Sequence, residues 1–173
     1  MIVDMMKNRK MDMLCIQETR WKGNKAKELG DGFKLIYSGA AGNGRNGVGI
    51  ILSGALKNYV TEVHRTNDRM MRVTLSMEEY TLNIFSVYAP QVGCTEEEKD
   101  RFWTELNVEV EKIEADERCI VAGDLNGHVG QDNDVIGRIH GGNGYGVRND
   151  EGERIIDFAV SYDMIVANTF FQK

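Results

Sequence analysis

The stretch Cys119-Ile120-Val121-Ala122-Gly123-Asp124-Leu125-Asn126-Gly127-His128 decides how the rest of the chain is interpreted. Its first four residues form a short apolar run that a glycine ends, and this is the pattern of a buried strand. Asp124 and Asn126 follow, and side chains two residues apart on an extended chain point the same way. Such a pair at a strand end can hold a metal, activate a water or bind a phosphate. The alternative is an Asx turn, in which both side chains bond local backbone and only end the strand.

Composition bounds the class of protein. The chain has 173 residues, which is enough for one domain with its own core. No apolar run approaches the roughly 20 residues that span a bilayer, so we expect no membrane partner. The N-terminal segment is interrupted by charges and does not have the pattern of a signal peptide. Three cysteines without metal spacing fit a reducing, intracellular compartment, and the nucleus is compatible with this.

The charge is unevenly distributed along the chain. The net charge of −6 argues against a general nucleic-acid coat protein. Residues 96–117 hold ten acids and three bases, so this segment carries −7 and the remainder carries +1. We interpret the acidic segment as one solvated helix face, which leaves a polyanion free to bind elsewhere.

Hydrophobic periodicity predicts the order of the elements. The segment from Tyr59 to Tyr88 alternates with a period near two and indicates an antiparallel meander. Thr95 and Glu98 form a capping box at the start of a helix that ends near Glu117. The other predicted elements are a helix over 2–9, strands over 13–16, 33–37, 48–52 and 119–123, a helix around 155–162 and a strand over 164–167.

The meander, the helix and the next strand have the length of a crossover unit, which lays the strands before and after the helix parallel. Tyr88 and Asp124 would then lie at the same edge of one sheet. Glu18 follows the strand over 13–16 and is a third polar residue at a strand end, where open α/β sheets build their sites. The alternatives are a solvated strand end for Glu18 and a rim tyrosine for Tyr88.

Basic residues follow Glu18 at once, namely Arg20, Lys22, Lys25 and Lys27. They are candidates for binding a phosphate backbone beside Glu18. The alternative is a solvated loop or a short helix.

Two further patterns are assigned to loops. Residues 42–47 have the letters GxGxxG, but a strand pattern follows them instead of a helix, so we expect a hairpin connection and no dinucleotide site. Residues 130–152 are glycine-rich and polar and are predicted to form a long surface loop. His128 and His140 lack a common metal spacing and are predicted to be solvated loop residues.

Three segments, in this order along the chain, resemble the endonuclease/exonuclease/phosphatase superfamily: Ile16-Gln17-Glu18-Thr19, Ser86-Val87-Tyr88-Ala89-Pro90 and Gly123-Asp124-Leu125-Asn126. The segment from Gln17 to Trp21, the segment from Asn149 to Phe158 and Asn168-Thr169-Phe170-Phe171 look most like the apurinic-like endonuclease domain of LINE-type retrotransposons and of host proteins of the craniofacial development protein 2 kind. The resemblance covers nearly the whole chain, as a single domain over residues 1–173.

The resemblance implies an α/β fold, a two-sheet sandwich of the DNase I-like type. It also implies Mg²⁺-dependent hydrolysis of phosphodiester bonds, with Mn²⁺ as a possible substitute and DNA as the substrate. Glu18 looks like the Mg²⁺ ligand, and Asp124 looks like the residue that orients and activates the water. Asn126 looks like a positioner of phosphate or water, and Tyr88 like a hydrogen-bond donor on the phosphate side.

The family pattern also includes a first strand that bears an asparagine and a final Ser-Asp-His segment, and neither is found in residues 1–173. The resemblance therefore implies an incomplete domain, truncated at both ends, with weak or no nuclease activity in this chain. Two other interpretations stay open. One is a catalytically inactive derivative that acts as a binding or interaction module, and the other is a phosphatase of the same superfamily.

Overall fold

The structure is a computed structural model, and it describes residues 1–40, 42, 44–131 and 137–172. Two 3₁₀ segments, Lys57–Tyr59 and Ala167–Thr169, accompany the helices and strands. The elements are α1 (Ile2–Asn8), β1 (Met13–Gln17), β2 (Lys25–Gly30), β3 (Phe33–Ser38), β4 (Val48–Leu52), β5 (Val60–Asn67), β6 (Met70–Ser76), β7 (Thr81–Tyr88), α2 (Glu96–Val110), β8 (Arg118–Asp124) and α3 (Asp150–Ser161).

The strands form two four-stranded sheets, with the orders β1-β4-β3-β2 and β5-β6-β7-β8. Both sheets belong to the first of two compact units, which comprises Met1–Ala89 and Arg101–Asp124. The β5-β6-β7 meander is antiparallel, and β7 pairs with β8 in parallel. The predicted meander and the predicted parallel pair are therefore confirmed. A hairpin connection between β3 and β4 agrees with their antiparallel pairing, although position 43 lies outside the described residues.

Successive side chains of a strand point to opposite faces of the sheet, which explains how the first sheet is buried on both faces. Ile36 of β3 joins a core cluster with Val73 of the second sheet, so the two sheets pack face to face. Leu35, the preceding residue, points to the other face and packs with Met6 of α1. Every residue of β4 is buried because a layer covers each face of this central strand. The first unit is thus a two-sheet sandwich with α1 on the outside of one sheet.

Helix α2 is shorter than predicted. Phe102, Leu106 and Val110 form the expected buried face. The helix ends at Val110 and does not reach Glu117, and tight turns follow it. Residues 111–117 contain four further acids, and negative charge at the carboxyl end of a helix opposes the helix dipole. A hydrophobic period alone therefore overestimated the length of this helix.

The basic segment after Glu18 is irregular up to residue 24 and continues as strand β2. Lys25 opens β2, which pairs with β3 at the edge of the first sheet. Its residues are mostly exposed, and lysine on an edge strand discourages pairing with other chains. The alternative of a loop or short helix is wrong over 25–30, because pairing with β3 and not the local sequence pattern determines this strand.

The second compact unit comprises Pro90–Asp100 and the chain from Leu125 onward. The Thr95–Glu98 capping box is confirmed, since the Glu98 backbone N–H donates to the Thr95 hydroxyl at 3.2 Å and the Thr95 N–H donates to the Glu98 carboxylate at 2.9 Å. Helix α3 begins at Asp150, earlier than its apolar pattern indicated. Asn149 caps it by accepting a hydrogen bond from the Gly152 N–H at 2.9 Å.

The acidic stretch is not simply a solvated face. The Lys99 side chain is buried in the second unit, and its Nζ lies 2.8 Å from Glu96 and 2.7 Å from Glu151. The hydrogen bond between Lys99 and Glu151 lowers the pKa of the Glu151 carboxyl and raises the pKa of the Lys99 ammonium. Buried charges of this kind are retained only when they are paired, so some of the acids act as internal partners.

Two predictions in the second unit, one of a solvated histidine and one of a strand, were wrong. His140 is fully buried, and its ring nitrogens lie 3.1 Å from the Gly130 carbonyl oxygen and 3.0 Å from the Gly142 nitrogen. The predicted strand over 164–167 is reduced to a single bridge between His140 and Val166, followed by a 3₁₀ turn. Residues 132–136 of the predicted long loop lie outside the described residues.

Gly123 provides a test of how β8 is seated against β7. Its φ of +149° is rare for a residue with a side chain, and an added Cβ would collide with the carbonyl oxygen of Val87. We expect Gly123→Ala to lower the free energy of unfolding by about 1–3 kcal/mol. Urea unfolding followed by circular dichroism measures this change. Gly93→Ala is the control, since a Cβ there meets no described atom within 4 Å, and equal stability of both variants would contradict the expectation.

Candidate active site

The ends of three strands carry the candidate catalytic residues of the first unit. Glu18 directly follows β1, Tyr88 is the last residue of β7, and Asp124 is the last residue of β8. Tyr88 and Asp124 are paired in the parallel register of β7 and β8. The Tyr88 hydroxyl donates a hydrogen bond of 2.8 Å to Oε1 of Glu18, which belongs to the other sheet. The two sheets therefore meet at an edge that presents a carboxylate, a phenol and a second carboxylate.

Tyr88 is held rigidly from several sides. Its side chain is buried, with only the hydroxyl reaching Glu18. The Arg69 guanidinium lies 5.1 Å from the centre of the Tyr88 ring, and its Nη1 donates to the Tyr88 carbonyl oxygen at 3.1 Å. The Tyr88 N–H donates to the Arg69 carbonyl oxygen at 2.8 Å. Arg69 thus fixes both the backbone and the ring of the residue that contacts Glu18.

Glu18 is kept ionised by its neighbours. The hydrogen bond from Tyr88, followed by one from Arg20, lowers the pKa of this carboxyl. Nη2 of Arg20 lies 3.0 Å from Oε2 of Glu18, and the Glu18 side chain is 43% exposed to solvent. An ionised oxygen donor that water can reach suits a cation such as Mg²⁺, which binds through one or two carboxylates and retains several waters.

Glu18 and Arg20 both adopt a left-handed backbone conformation, with φ of 52° and 55°. This conformation is uncommon for residues other than glycine and asparagine, and such outliers are frequent at functional sites. The loop before β4 braces it, because the Thr19 N–H donates to the Gly47 carbonyl oxygen at 3.2 Å and the Arg20 N–H to the Asn46 carbonyl oxygen at 3.0 Å. The structure therefore imposes a backbone geometry that aims the Glu18 carboxylate.

The bracing loop is itself anchored to the turn that carries Arg69. The Asn46 side-chain amide donates to the Asp68 carboxylate at 2.8 Å, and the Gly47 N–H donates to the Asp68 carbonyl oxygen at 2.8 Å. Asp68 is adjacent to Arg69 in the turn between β5 and β6. The supports of Glu18 and of Tyr88 therefore converge on one turn.

Asp124 is exposed at the end of β8, and its carbonyl oxygen accepts a hydrogen bond from the Ala89 N–H at 2.8 Å. This bond extends the pairing of β7 and β8 by one step, to the edge of the sheet. Asn126 lies in the second compact unit and adopts a left-handed conformation with φ of 50°.

The predicted basic residues fall into two groups. Arg20 pairs with Glu18, as described above. Lys22 is exposed in the segment before β2, and Lys25 pairs with Tyr37 in the register of β2 and β3. The structure thus brings Glu18, Tyr88 and Arg20 into contact and places Asp124 beside Tyr88 in the strand register.

Sequence reasoning missed Arg69, Asp68 and the brace at Asn46 and Gly47. The glycine-rich letters around position 47 were the only available signal, and they indicated a hairpin. Within the described ranges, no group of three or more His, Cys, Asp or Glu side chains is arranged to hold a metal ion.

The Tyr88 hydroxyl allows a direct test of the site's electrostatics. Because the hydrogen bond lowers the pKa of Glu18, its stabilisation is complete above the ordinary carboxyl pKa of about 4.3 and is lost as the pH falls through the lowered value. We expect Tyr88→Phe to raise the Glu18 pKa towards its ordinary value, as measured by NMR titration of the carboxyl carbon. Tyr59→Phe is the control, because Tyr59 precedes β5 at the opposite edge of its sheet. An unchanged Glu18 pKa in Tyr88→Phe would show that the bond is unimportant in solution.

Comparison with known proteins places this geometry in context. Residues 1–168 match the model of the Endonuclease/Exonuclease/phosphatase family. Craniofacial development protein 2 from Tragulus javanicus is 31% identical over 163 residues, which cover 94% of this chain and 28% of that protein. The Bos taurus protein of the same name is also 31% identical over 163 residues and is covered to 27%. The chain thus spans little more than a quarter of these curated relatives.

Solved structures show the same fold at low sequence identity. The endonuclease domain of TRAS1, a telomere-specific non-LTR retrotransposon, superposes with a TM-score of 0.62 at 15% identity, covering 93% of this chain and 63% of that one. An AP endonuclease from Leishmania major gives a TM-score of 0.59 at 15% identity, covering 90% of this chain and 58% of that one. The predicted two-sheet, DNase I-like α/β fold is therefore confirmed. In the part of the chain that is described, no helix is both long and apolar enough to cross a membrane.

Proposed function

This chain belongs to the endonuclease/exonuclease/phosphatase family, and from that premise we propose that it is a Mg²⁺-dependent phosphodiesterase domain acting on DNA. The observation that carries the proposal is the 2.8 Å hydrogen bond from Tyr88 to Glu18. Asp124 pairs with Tyr88 in the register of β7 and β8 and therefore lies next to this bond. The fold shared with the TRAS1 endonuclease domain supports nucleic acid as the substrate class. A DNA substrate would place the protein in an intracellular compartment such as the nucleus.

Each proposed role follows from the chemistry of its residue. Glu18 would hold Mg²⁺, or Mn²⁺ in its place, since its lowered pKa keeps it anionic at neutral pH. The bound cation would supply charge stabilisation for the phosphoryl oxygens. Asp124, exposed at the end of β8, would orient the attacking water and accept its proton.

The remaining residues would position the substrate. Tyr88 would direct its hydroxyl to the metal ligand and to the phosphate side of the site. Asn126 would bind the phosphate or the attacking water through its amide. Arg20, which pairs with Glu18, can exchange that contact for a phosphate oxygen when a cation binds the carboxylate.

A binding or interaction module without catalysis is the second candidate. The observation that favours it is the ion pair in which Nη2 of Arg20 lies 3.0 Å from Oε2 of Glu18, since the carboxylate already has a cationic partner. In that case the edge that carries Glu18 would contact nucleic acid without hydrolysing it. The two functions differ in whether Asp124 affects any chemical step.

A nicking assay on supercoiled plasmid with Mg²⁺ separates these functions. We expect Asp124→Asn to lower the nicking rate by at least about 100-fold, because it removes the base that accepts the proton of water. Asp116→Asn is the matched control, since Asp116 is exposed near the other end of β8. Nicking by the unsubstituted chain that Asp124→Asn leaves unchanged would refute the proposed role. DNA binding without any nicking would favour the binding module.

The basic residues beside Glu18 distinguish DNA from a small phosphate substrate. Each lysine that neutralises a phosphate contributes about 0.9 to the slope of log K against log salt concentration for duplex DNA. We expect the double substitution Lys22→Ala and Lys25→Ala to reduce that slope by about 1.8. The control substitutes Lys57, which precedes β5, and Lys112, which lies between α2 and β8. Each of these lysines already pairs with an acid, Lys57 with Glu28 and Lys112 with Glu109. A slope that Lys22→Ala and Lys25→Ala leave unchanged would favour a phosphatase.

A further inference from the structure

Trp21 is an exposed aromatic residue that is held in a fixed orientation. The residue is 44% exposed although its ring packs against the buried Tyr37 in a T-shaped pair, with 5.2 Å between the ring centroids and an angle of 65° between the planes. The Lys27 ammonium lies 6.0 Å from the centre of each ring. The Trp21 carbonyl oxygen accepts a hydrogen bond from the Ala40 N–H at 2.8 Å. The indole is therefore held by contacts to its ring and to its backbone.

The strand topology places Trp21 at the same sheet edge as Glu18. Strands β1 and β3 both pair antiparallel with β4, so they run in the same direction and end at one edge. β2 runs opposite to β3, and its first residue, Lys25, pairs with Tyr37 near the end of β3. Trp21 packs on Tyr37 and follows Glu18 by three residues. The indole and the start of β2 consequently lie at the same end of the sheet as the candidate metal ligand.

Three lysines lie close to Trp21 along the chain, in the segment before β2 and at its start. Lys22, Lys25 and Lys27 form no ion pair with any residue that the structure describes. Other lysines and arginines at the surface, such as Lys7, Lys57 and Arg72, each pair with an acid. Three unpaired ammonium groups around a half-exposed indole can neutralise phosphates while a base stacks on the ring. A negatively charged protein surface would satisfy the lysines but would leave unused the face of the indole that Lys27 does not cover.

We propose that Trp21 is a specificity-determining residue that stacks on an unpaired base of the substrate, while Lys22, Lys25 and Lys27 bind the flanking phosphates. The inference rests on the proposed function, since it assumes a nucleic-acid substrate. Every base has a π-face that an aromatic side chain can stack on, but the faces are covered inside a regular duplex. The site would therefore favour single-stranded DNA, or a duplex with an unpaired base near the scissile phosphate.

Binding measurements test the inference without requiring turnover. The probe is a fluorescently labelled single-stranded oligothymidylate, measured by anisotropy in EDTA. We expect Trp21→Leu, which keeps an apolar cover over Tyr37, to weaken binding by about tenfold or more, and Trp21→Phe to recover part of the loss. Tyr59→Leu is the control at the opposite edge of the protein's other sheet and should leave the affinity unchanged.

Two further readouts exclude a purely structural role. The salt slope should be unchanged in Trp21→Leu, whereas Lys25→Ala should reduce it by about 0.7 on a single strand. In a Trp103→Phe background, Trp21 is the remaining one of the two tryptophans, so oligonucleotide binding should quench its fluorescence. Absence of quenching, equal weakening by Trp21→Phe and Trp21→Leu, or undiminished affinity in Trp21→Leu would each overturn the inference.

The outcome for Trp21 is separable from the outcome for catalysis. If Trp21→Leu binds normally and Asp124→Asn still abolishes nicking, the stacking role is wrong and the phosphodiesterase stands. If quenching and weakened binding are observed but no variant nicks DNA, the stacking role stands and the catalytic proposal fails. Failure of the unsubstituted chain to bind the oligonucleotide would overturn the stacking role.

Discussion

The hydrogen bond between Tyr88 and Glu18 depends on a constraint that reaches through the whole first unit. Strands from two different sheets must end at the same edge for a residue after β1 to contact the last residue of β7. The shared core of the two sheets fixes where these strands end relative to one another, because apolar residues of β3 and β4 pack against those of β6 and β7. The parallel register of β7 and β8 then brings Asp124 to the same edge. The candidate site is thus a product of sheet packing and not of any single loop.

A second feature of the site is that its supports are shared. Arg69 holds Tyr88, and the neighbouring Asp68 holds the loop that braces Glu18. The carboxylate and the phenol are therefore positioned by one turn between β5 and β6, which limits how far they can move apart. Positioning of this kind reduces the reorganisation needed when charge develops on a bound phosphate.

Sequence reasoning succeeded where the information was local or set by length. The pairing of Tyr88 with Asp124 followed from the crossover length between two strand patterns, and the capping box at Thr95 followed from two residues. The contact between Glu18 and Tyr88 could not be derived in this way, because the residues are 70 positions apart and lie in different sheets. The strand-end pattern made Glu18 a third candidate, and the resemblance to a known family assigned it to the same site as Tyr88.

The failures have physical reasons as well. His140 was expected in solvent because its neighbours are glycines, yet those glycines supply the backbone groups that its ring contacts. Lys25 to Gly30 carries too much charge for a typical strand, but an edge position tolerates exposed lysine. Arg69 gave no signal, because a turn arginine looks the same whether it is solvated or holds an aromatic ring.

The left-handed backbone at Glu18 and Arg20 also links cation binding to local order. The amides of Thr19 and Arg20 donate to the loop that precedes β4, so they are protected from hydrogen exchange only while the brace is closed. A ligand that binds the Glu18 carboxylate only in its braced orientation must stabilise the closed state by an amount set by its concentration relative to its Kd. The exchange rates of these two amides would therefore report the affinity of the site for a divalent cation. That measurement requires no substrate and no turnover, so it would read the site even in a chain that does not cleave DNA.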